Sequence, residues 1–78
     1  MISQRDLIRQ QAEETIRKAG KPLHNSVIAD NILPGLGLAG TVTPKTVNTC
    51  LYDDPGRRFV SVGKGTWWLR DLPNSRET

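Results

Sequence analysis

The chain has 78 residues, of which 36% are hydrophobic and 24% charged, and its formal net charge is +3. This composition is too apolar for a disordered tail, and the length suits one small domain that buries about 60% of its unfolded surface. No apolar run approaches the roughly 20 residues that cross a bilayer and no apolar leader is present, which predicts an intracellular location (cytoplasm, nucleoid or nucleus) without a membrane partner.

The first predicted helix begins after Ser3, a good N-cap that is followed by Asp6 three residues later. Ile2 and Leu7 occupy the two positions of a hydrophobic staple. Gly20 can end the helix because it has no Cβ to hinder a left-handed cap. The apolar stripe of helical period consists of Leu7, Ile8, Ala12, Ile16 and Ala19.

Pro22 prevents that helix from continuing, so residues 21–24 are predicted to be extended. Asn25 or Ser26 can cap a second helix, which we expect to end before Pro34 and Gly35. His24 is expected to cap this helix or to form a hydrogen bond near its start. Residues 35–40 are predicted to form a loop with buried leucines.

A third helix is predicted to open at Thr43, with Pro44 in the first helical position and Val42 stapled to Val47. Two short β-type runs follow, at residues 59–62 and 66–69, joined by a turn at 63–65. Within the second run we expect Trp67 in the core and Trp68 at least half exposed, because side chains alternate along a strand.

This order predicts a mainly α fold with a small β-hairpin, a winged helix-turn-helix of three helices plus a wing. We expect the domain to span residues 1–72 and residues 73–78 to form a flexible C-terminal tail or linker.

Three segments carry a resemblance to a known family. Residues 21–24 (KPLH), 43–53 (TPKTVNTCLYD) and 58–67 (RFVSVGKGTW) resemble the HARE-HTH domain in their order and spacing. That family occurs in restriction-endonuclease fusions, in the delta subunit of bacterial RNA polymerase and in chromatin proteins of the additional-sex-combs-like type. The resemblance implies a winged helix that binds DNA or connects a DNA-acting machine to DNA.

The third helix is the candidate DNA reader. Asn48 can pair with adenine and Lys45 can donate to guanine, while the threonines suit phosphates or thymine methyl groups. A solvated polar face remains the alternative, since Asp53 and Asp54 would repel phosphates. The candidate contacts on this helix are Thr43, Lys45, Thr46, Asn48 and Thr49.

The wing adds Arg57, Arg58 and Lys64, each able to neutralise a phosphate. Alternatively, the two arginines pair with Asp53 and Asp54, which would be worth under about 1 kcal/mol if exposed. Trp68 is either a contact residue for DNA or a partner, or a cover for the edge of the core.

We therefore predict a DNA-binding module of a larger DNA-acting, chromatin or transcription protein, which contacts double-stranded DNA through residues 43–54 and 57–70. The alternative is a module that docks other domains or subunits through the wing and an apolar patch of Trp68, Leu36 and Leu38. Cys50 is expected to be a buried hydrophobe, and no nucleophile–base pair, metal set or cofactor site is recognised, so any catalysis would lie in a separate domain.

Overall fold

A computed structural model of the chain describes residues 3–72, which form three helices and one antiparallel three-stranded sheet. This architecture confirms the predicted winged helix. The predicted staple residue Ile2 and the predicted tail at 73–78 lie outside the described residues. In chain order the elements are α1 (Gln4–Ala19), β1 (Leu23–His24), α2 (Asn25–Leu36), α3 (Pro44–Tyr52), β2 (Phe59–Gly63) and β3 (Thr66–Leu69).

Both ends of α1 are capped as the sequence predicts. Ser3 Oγ accepts a hydrogen bond from the backbone N–H of Asp6 at 3.2 Å. Gly20 adopts a left-handed φ of 67°, and its N–H donates to the carbonyl of Ile16 at 3.0 Å. These caps satisfy backbone groups that the helix itself leaves unpaired, and α1 then buries its stripe against the core.

Helix α2 starts and ends differently from the prediction. His24 is its N-cap, since His24 Nδ1 accepts from the N–H of Ser26 at 3.2 Å. The helix does not stop before Pro34 but runs on to Leu36, and Gly37 ends it with a φ of 73°. Pro34 lies close enough to the end that its missing N–H removes only one hydrogen bond. Continuing the helix brings the half-buried Leu36 against the core.

The third strand of the sheet is the short β1, so the strand order is β1-β3-β2 and β3 lies in the centre. The hairpin of β2 and β3 pairs Phe59 with Leu69 and Val60 with Trp68. Its register shifts between Ser61 and Gly63, next to the turn. The predicted extended segment before α2 therefore covers one edge of the wing.

Trp68 is the clearest error of the sequence-based prediction, which placed it at least half in solvent. Trp67 is 4% exposed, as expected, but Trp68 is only 5% exposed and belongs to the core. The physical reason is that β3 is a central strand that contacts α1 as well as both neighbouring strands. Alternation along β3 therefore turns successive side chains toward two covered faces.

The core contains the apolar side of every helix together with the inner residues of the wing. Cys50 is completely buried, as predicted, and burial raises the pKa of its thiol above the ordinary value. The buried apolar side chains are Ile8, Ala12, Ile16, Ile28, Ala29, Ile32, Leu33, Val42, Val47, Cys50, Leu51, Phe59, Trp67, Trp68 and Leu69.

Candidate nucleic-acid interface

The start of α3 is built by its cap. Thr43 Oγ1 accepts from the N–H of Thr46 at 3.3 Å, and Pro44 follows in the first turn, both as predicted. The hydroxyls of Thr43 and Thr46 also lie 3.2 Å apart. Such a cap is worth about 1 kcal/mol and fixes the direction in which the helix enters the fold. The first exposed side chain after Pro44 is that of Lys45.

The exposed face of α3 carries four of its five predicted contact residues. Thr43, Lys45, Thr46 and Thr49 are all exposed. Thr49 donates its hydroxyl hydrogen to the carbonyl of Lys45 at 3.1 Å, so its oxygen is left as an acceptor for any further partner. Lys45 forms no ion pair with residues 3–72.

Asn48, the fifth residue of that set, is half-buried and tethered to the wing. Trp67 Nε1 donates to Asn48 Oδ1 at 2.9 Å. This hydrogen bond joins the middle of α3 to β3 and holds the helix at a fixed angle to the wing. Sequence patterns carry no signal for it, because the two residues lie on different elements.

Asn25 brings the start of α3 and the turn of the wing together. Its backbone N–H donates to the carbonyl of Gly65 at 2.8 Å, and its side-chain Nδ2 donates to the carbonyl of Pro44 at 3.1 Å. Lys45 follows Pro44, and Lys64 precedes Gly65. The two exposed lysines therefore sit on neighbouring segments at one end of the molecule.

The two arginines at the base of the wing have different surroundings. Arg57 is exposed, has a left-handed φ of 51° and forms no ion pair with the described residues. Arg58 is half-buried and pairs with Asp54 at 3.2 Å and with Glu13 of α1 at 3.2 Å. The alternative in which these arginines pair with aspartates thus holds for Arg58 and not for Arg57.

Asp54 was expected to repel phosphates, but its side chain is turned inward and is only 1% exposed. It accepts hydrogen bonds from the backbone N–H of Gly56 at 3.2 Å and of Arg58 at 2.9 Å. Burial acts to raise the pKa of the Asp54 carboxyl, but these bonds and the Arg58 guanidinium outweigh it, so the pKa lies below the ordinary value. Its charge is therefore neutralised within the fold.

Arg9 of α1 completes this arrangement at the C-terminal end of α3. Its Nε donates to the carbonyl of Cys50 at 2.9 Å, and it lies 4.0 Å from the Asp54 carboxylate. A guanidinium at this position satisfies carbonyls that the end of a helix leaves free and complements the helix dipole. Arg9 is buried, so it holds α3 in place and does not face a ligand.

An open groove of about 600 Å³ runs between the end of α3 and the wing. Tyr52, which is 78% exposed, and Arg57 lie along it, and Trp67 forms part of its wall. The apolar patch expected from Trp68, Leu36 and Leu38 does not form, because Trp68 is buried and both leucines pack against the core.

Within residues 3–72 no group of histidine, cysteine and acidic residues has an arrangement that could hold a metal ion. No helix in this part of the chain is long and apolar enough to cross a membrane.

Comparison with curated proteins and with solved structures found no match to this chain. Comparison with family models matched the HARE-HTH domain, described as the helix-turn-helix domain of ASXL and restriction-endonuclease proteins, over residues 8–72. This match covers all three helices and the whole wing except the first turn of α1. The chain therefore belongs to the HARE-HTH family of DNA-binding helix-turn-helix domains.

Proposed function

We propose that this chain is the DNA-binding module of a larger DNA-acting, chromatin or transcription protein, and that it contacts duplex DNA through residues 43–54 and 57–70. The observation that carries the proposal is the convergence of the start of α3 and the turn of the wing on Asn25. Each of these segments presents an exposed lysine, Lys45 or Lys64, that has no ion-pair partner among residues 3–72.

In this proposal the first turns of α3 enter the major groove. The free backbone N–H groups at the start of the helix and its dipole favour a nearby phosphate, and Lys45 reaches a base edge or the backbone. Lys64 at the tip of the wing and Arg57 at its base neutralise phosphates beside the groove. Trp68 and Arg58 contribute through the fold, because one is buried and the other is engaged with carboxylates.

The acidic end of α3 is compatible with this placement. Asp54 is buried and paired, so its charge is compensated, and only Asp53 is exposed at the end of the helix opposite Pro44. Phosphates that approach the start of α3 and the wing turn therefore meet two free cations first. We assign this chain a binding role without catalysis, and any catalytic step to a separate domain of the parent protein.

The test is a salt-dependent binding series with a duplex of random sequence. Each lost phosphate contact lowers the slope of log K against log salt concentration by about 0.9. We expect Lys45→Ala and Lys64→Ala to weaken binding at low salt, and at least Lys64→Ala to lower the slope by that amount. Lys18→Ala is the matched control, because Lys18 is exposed on the α1–α2 side of the molecule and has no ion pair with a described residue.

Absence of duplex binding at low salt would overturn the proposal. Equal losses for Lys18→Ala and Lys64→Ala would overturn the assignment of the surface, because the effect would then follow from net charge alone. Mapping by amide chemical shifts provides the second readout, and the shifts should concentrate on residues 43–49 and 63–65.

A further inference from the structure

The side-chain amide of Asn48 is oriented by the indole of Trp67. The donor, Trp67 Nε1, lies 2.9 Å from Asn48 Oδ1, and Trp67 itself is almost completely buried. An indole N–H donates a hydrogen bond and cannot accept one. The oxygen of the amide must therefore face Trp67, and the nitrogen must point away from it.

The nitrogen of this amide is open to solvent. Asn48 Nδ2 forms no hydrogen bond with the residues that the structure describes, and none of their buried side-chain nitrogen or oxygen atoms lacks a partner. An unpaired Nδ2 in this half-buried residue must accordingly be accessible. Asn48 thus presents N–H donors outward while its acceptor is occupied within the protein.

This polarity matters for which base α3 can recognise. The usual pairing of asparagine with adenine uses both ends of the amide, since the oxygen accepts from N6 and the nitrogen donates to N7. Asn48 cannot form that pair while Trp67 holds its oxygen. Guanine offers two acceptors, N7 and O6, on the same edge. Lys45, one turn earlier on the helix, also only donates.

We propose that Trp67 fixes Asn48 as a hydrogen-bond donor, and that Lys45 and Asn48 together make α3 select guanine over adenine in the major groove. Asn48 is then the residue that touches the base, and Trp67 is a positioning residue. The inference rests on the proposed function and adds the base that the helix prefers.

The first experiment is selection from a pool of randomised duplexes with the full chain. We expect guanine to be enriched at one position at least. Replacing that guanine by 7-deazaguanine removes the N7 acceptor, and it should weaken binding of the native chain by about 5- to 100-fold. The same replacement should have little effect on Asn48→Ala, which has already lost the contact.

The positioning role is tested with Trp67→Phe, which keeps an aromatic ring and removes the N–H. Freed from Trp67, the Asn48 amide can turn over, so the ratio of guanine to adenine affinity should fall toward one. A purely structural role for Trp67 would lower affinity for both bases equally. Asn48→Ala, at a half-buried position, provides the same comparison if Trp67→Phe fails to fold, and in that variant the Trp67 indole N–H resonance should shift.

Two results would overturn the inference while leaving DNA binding intact. One is enrichment of adenine at a position whose preference disappears in Asn48→Ala. The other is an equal loss of affinity by Asn48→Ala for all sequences with a lower salt slope, which is the signature of a phosphate contact. Failure of the native chain to bind any duplex at low salt would overturn the proposed function itself.

Discussion

The buried carboxylate of Asp54 accepts both the backbone N–H of Arg58 at 2.9 Å and its guanidinium Nε at 3.2 Å. The same carboxylate accepts the N–H of Gly56, and Arg9 from α1 lies at its other side. It thereby closes the turn after α3 and fixes the first residues of the wing. The angle between the helix and the wing, on which a DNA surface depends, is set from inside the protein by this one side chain.

Replacing Asp54 by Asn should lower the free energy of unfolding at neutral pH by about 3 kcal/mol, because two arginines lose their buried counter-charge. The pKa of Asp54 is lowered on folding, so its contribution is complete above the unfolded-state pKa and is lost as the pH falls through the folded-state value. Urea titrations between about pH 7 and pH 2 should therefore show the difference between the native chain and the variant shrink in acid.

Asp53→Asn is the control for that experiment. Asp53 is exposed and its carboxylate forms no ion pair with the described residues, so stability should change by less than about 0.5 kcal/mol. A gap between Asp54→Asn and the native chain that stays constant down to the lowest pH would contradict the assigned charge interaction.

The wing turn depends on a glycine at position 65. Gly65 has a φ of 71°, and a Cβ there would lie 2.9 Å from His24 Nε2 and 3.0 Å from Asn25 Oδ1. Gly65→Ala should destabilise the fold by about 1–2 kcal/mol from the left-handed backbone alone, and it should displace Asn25 from Pro44. Thermal unfolding measures the first effect, and amide shifts at the start of α3 report the second.

Gly63→Ala is matched to it, since this position has no left-handed φ and its Cβ would make only an ordinary contact of 3.6 Å with Thr66. Its cost should be smaller, with no shifts at the start of α3. Equal behaviour of the two alanine variants would show that the turn does not hold Asn25.

The ends of the helices could be predicted from sequence because their signals are local. Ser3 and Thr43 each cap a helix through a backbone N–H three residues later, and Gly20 follows its helix directly. Where a local signal competed with packing, packing decided the outcome. Pro34 indicates a helix end, but α2 continues past it so that Leu36 reaches the core.

The ion pairs behind the wing could not be predicted, because their partners are far apart in the chain. Arg9 and Cys50 are separated by 41 positions, and Glu13 and Arg58 by 45. At the candidate site, Lys45 and Lys64 follow from charge and element order, whereas the tether from Trp67 to Asn48 depends on the angle at which β3 crosses α3. That angle is a product of the whole core.

Trp68 should report on folding and not on DNA binding. Trp68→Phe removes part of a buried ring system, so we expect the free energy of unfolding to fall by about 1–2 kcal/mol with DNA affinity unchanged. In Trp67→Phe, where Trp68 is the remaining tryptophan, iodide should quench its fluorescence poorly until the chain unfolds. Quenching at the rate of a free indole would place Trp68 in solvent and revive it as a contact.

Arg57 separates the wing's stability from its binding. Its left-handed φ of 51° is costly for arginine, so Arg57→Gly relieves backbone strain while it adds freedom to the unfolded chain. These effects oppose each other, and stability should stay within about 0.5 kcal/mol of the native chain. If Arg57 contacts a phosphate, the same change should lower the salt slope of DNA binding by about 0.9. Arg57→Lys keeps the charge and the strain, so its slope should remain native. Native affinity and slope in Arg57→Gly would remove the base of the wing from the interface and leave the wing turn as its anchor.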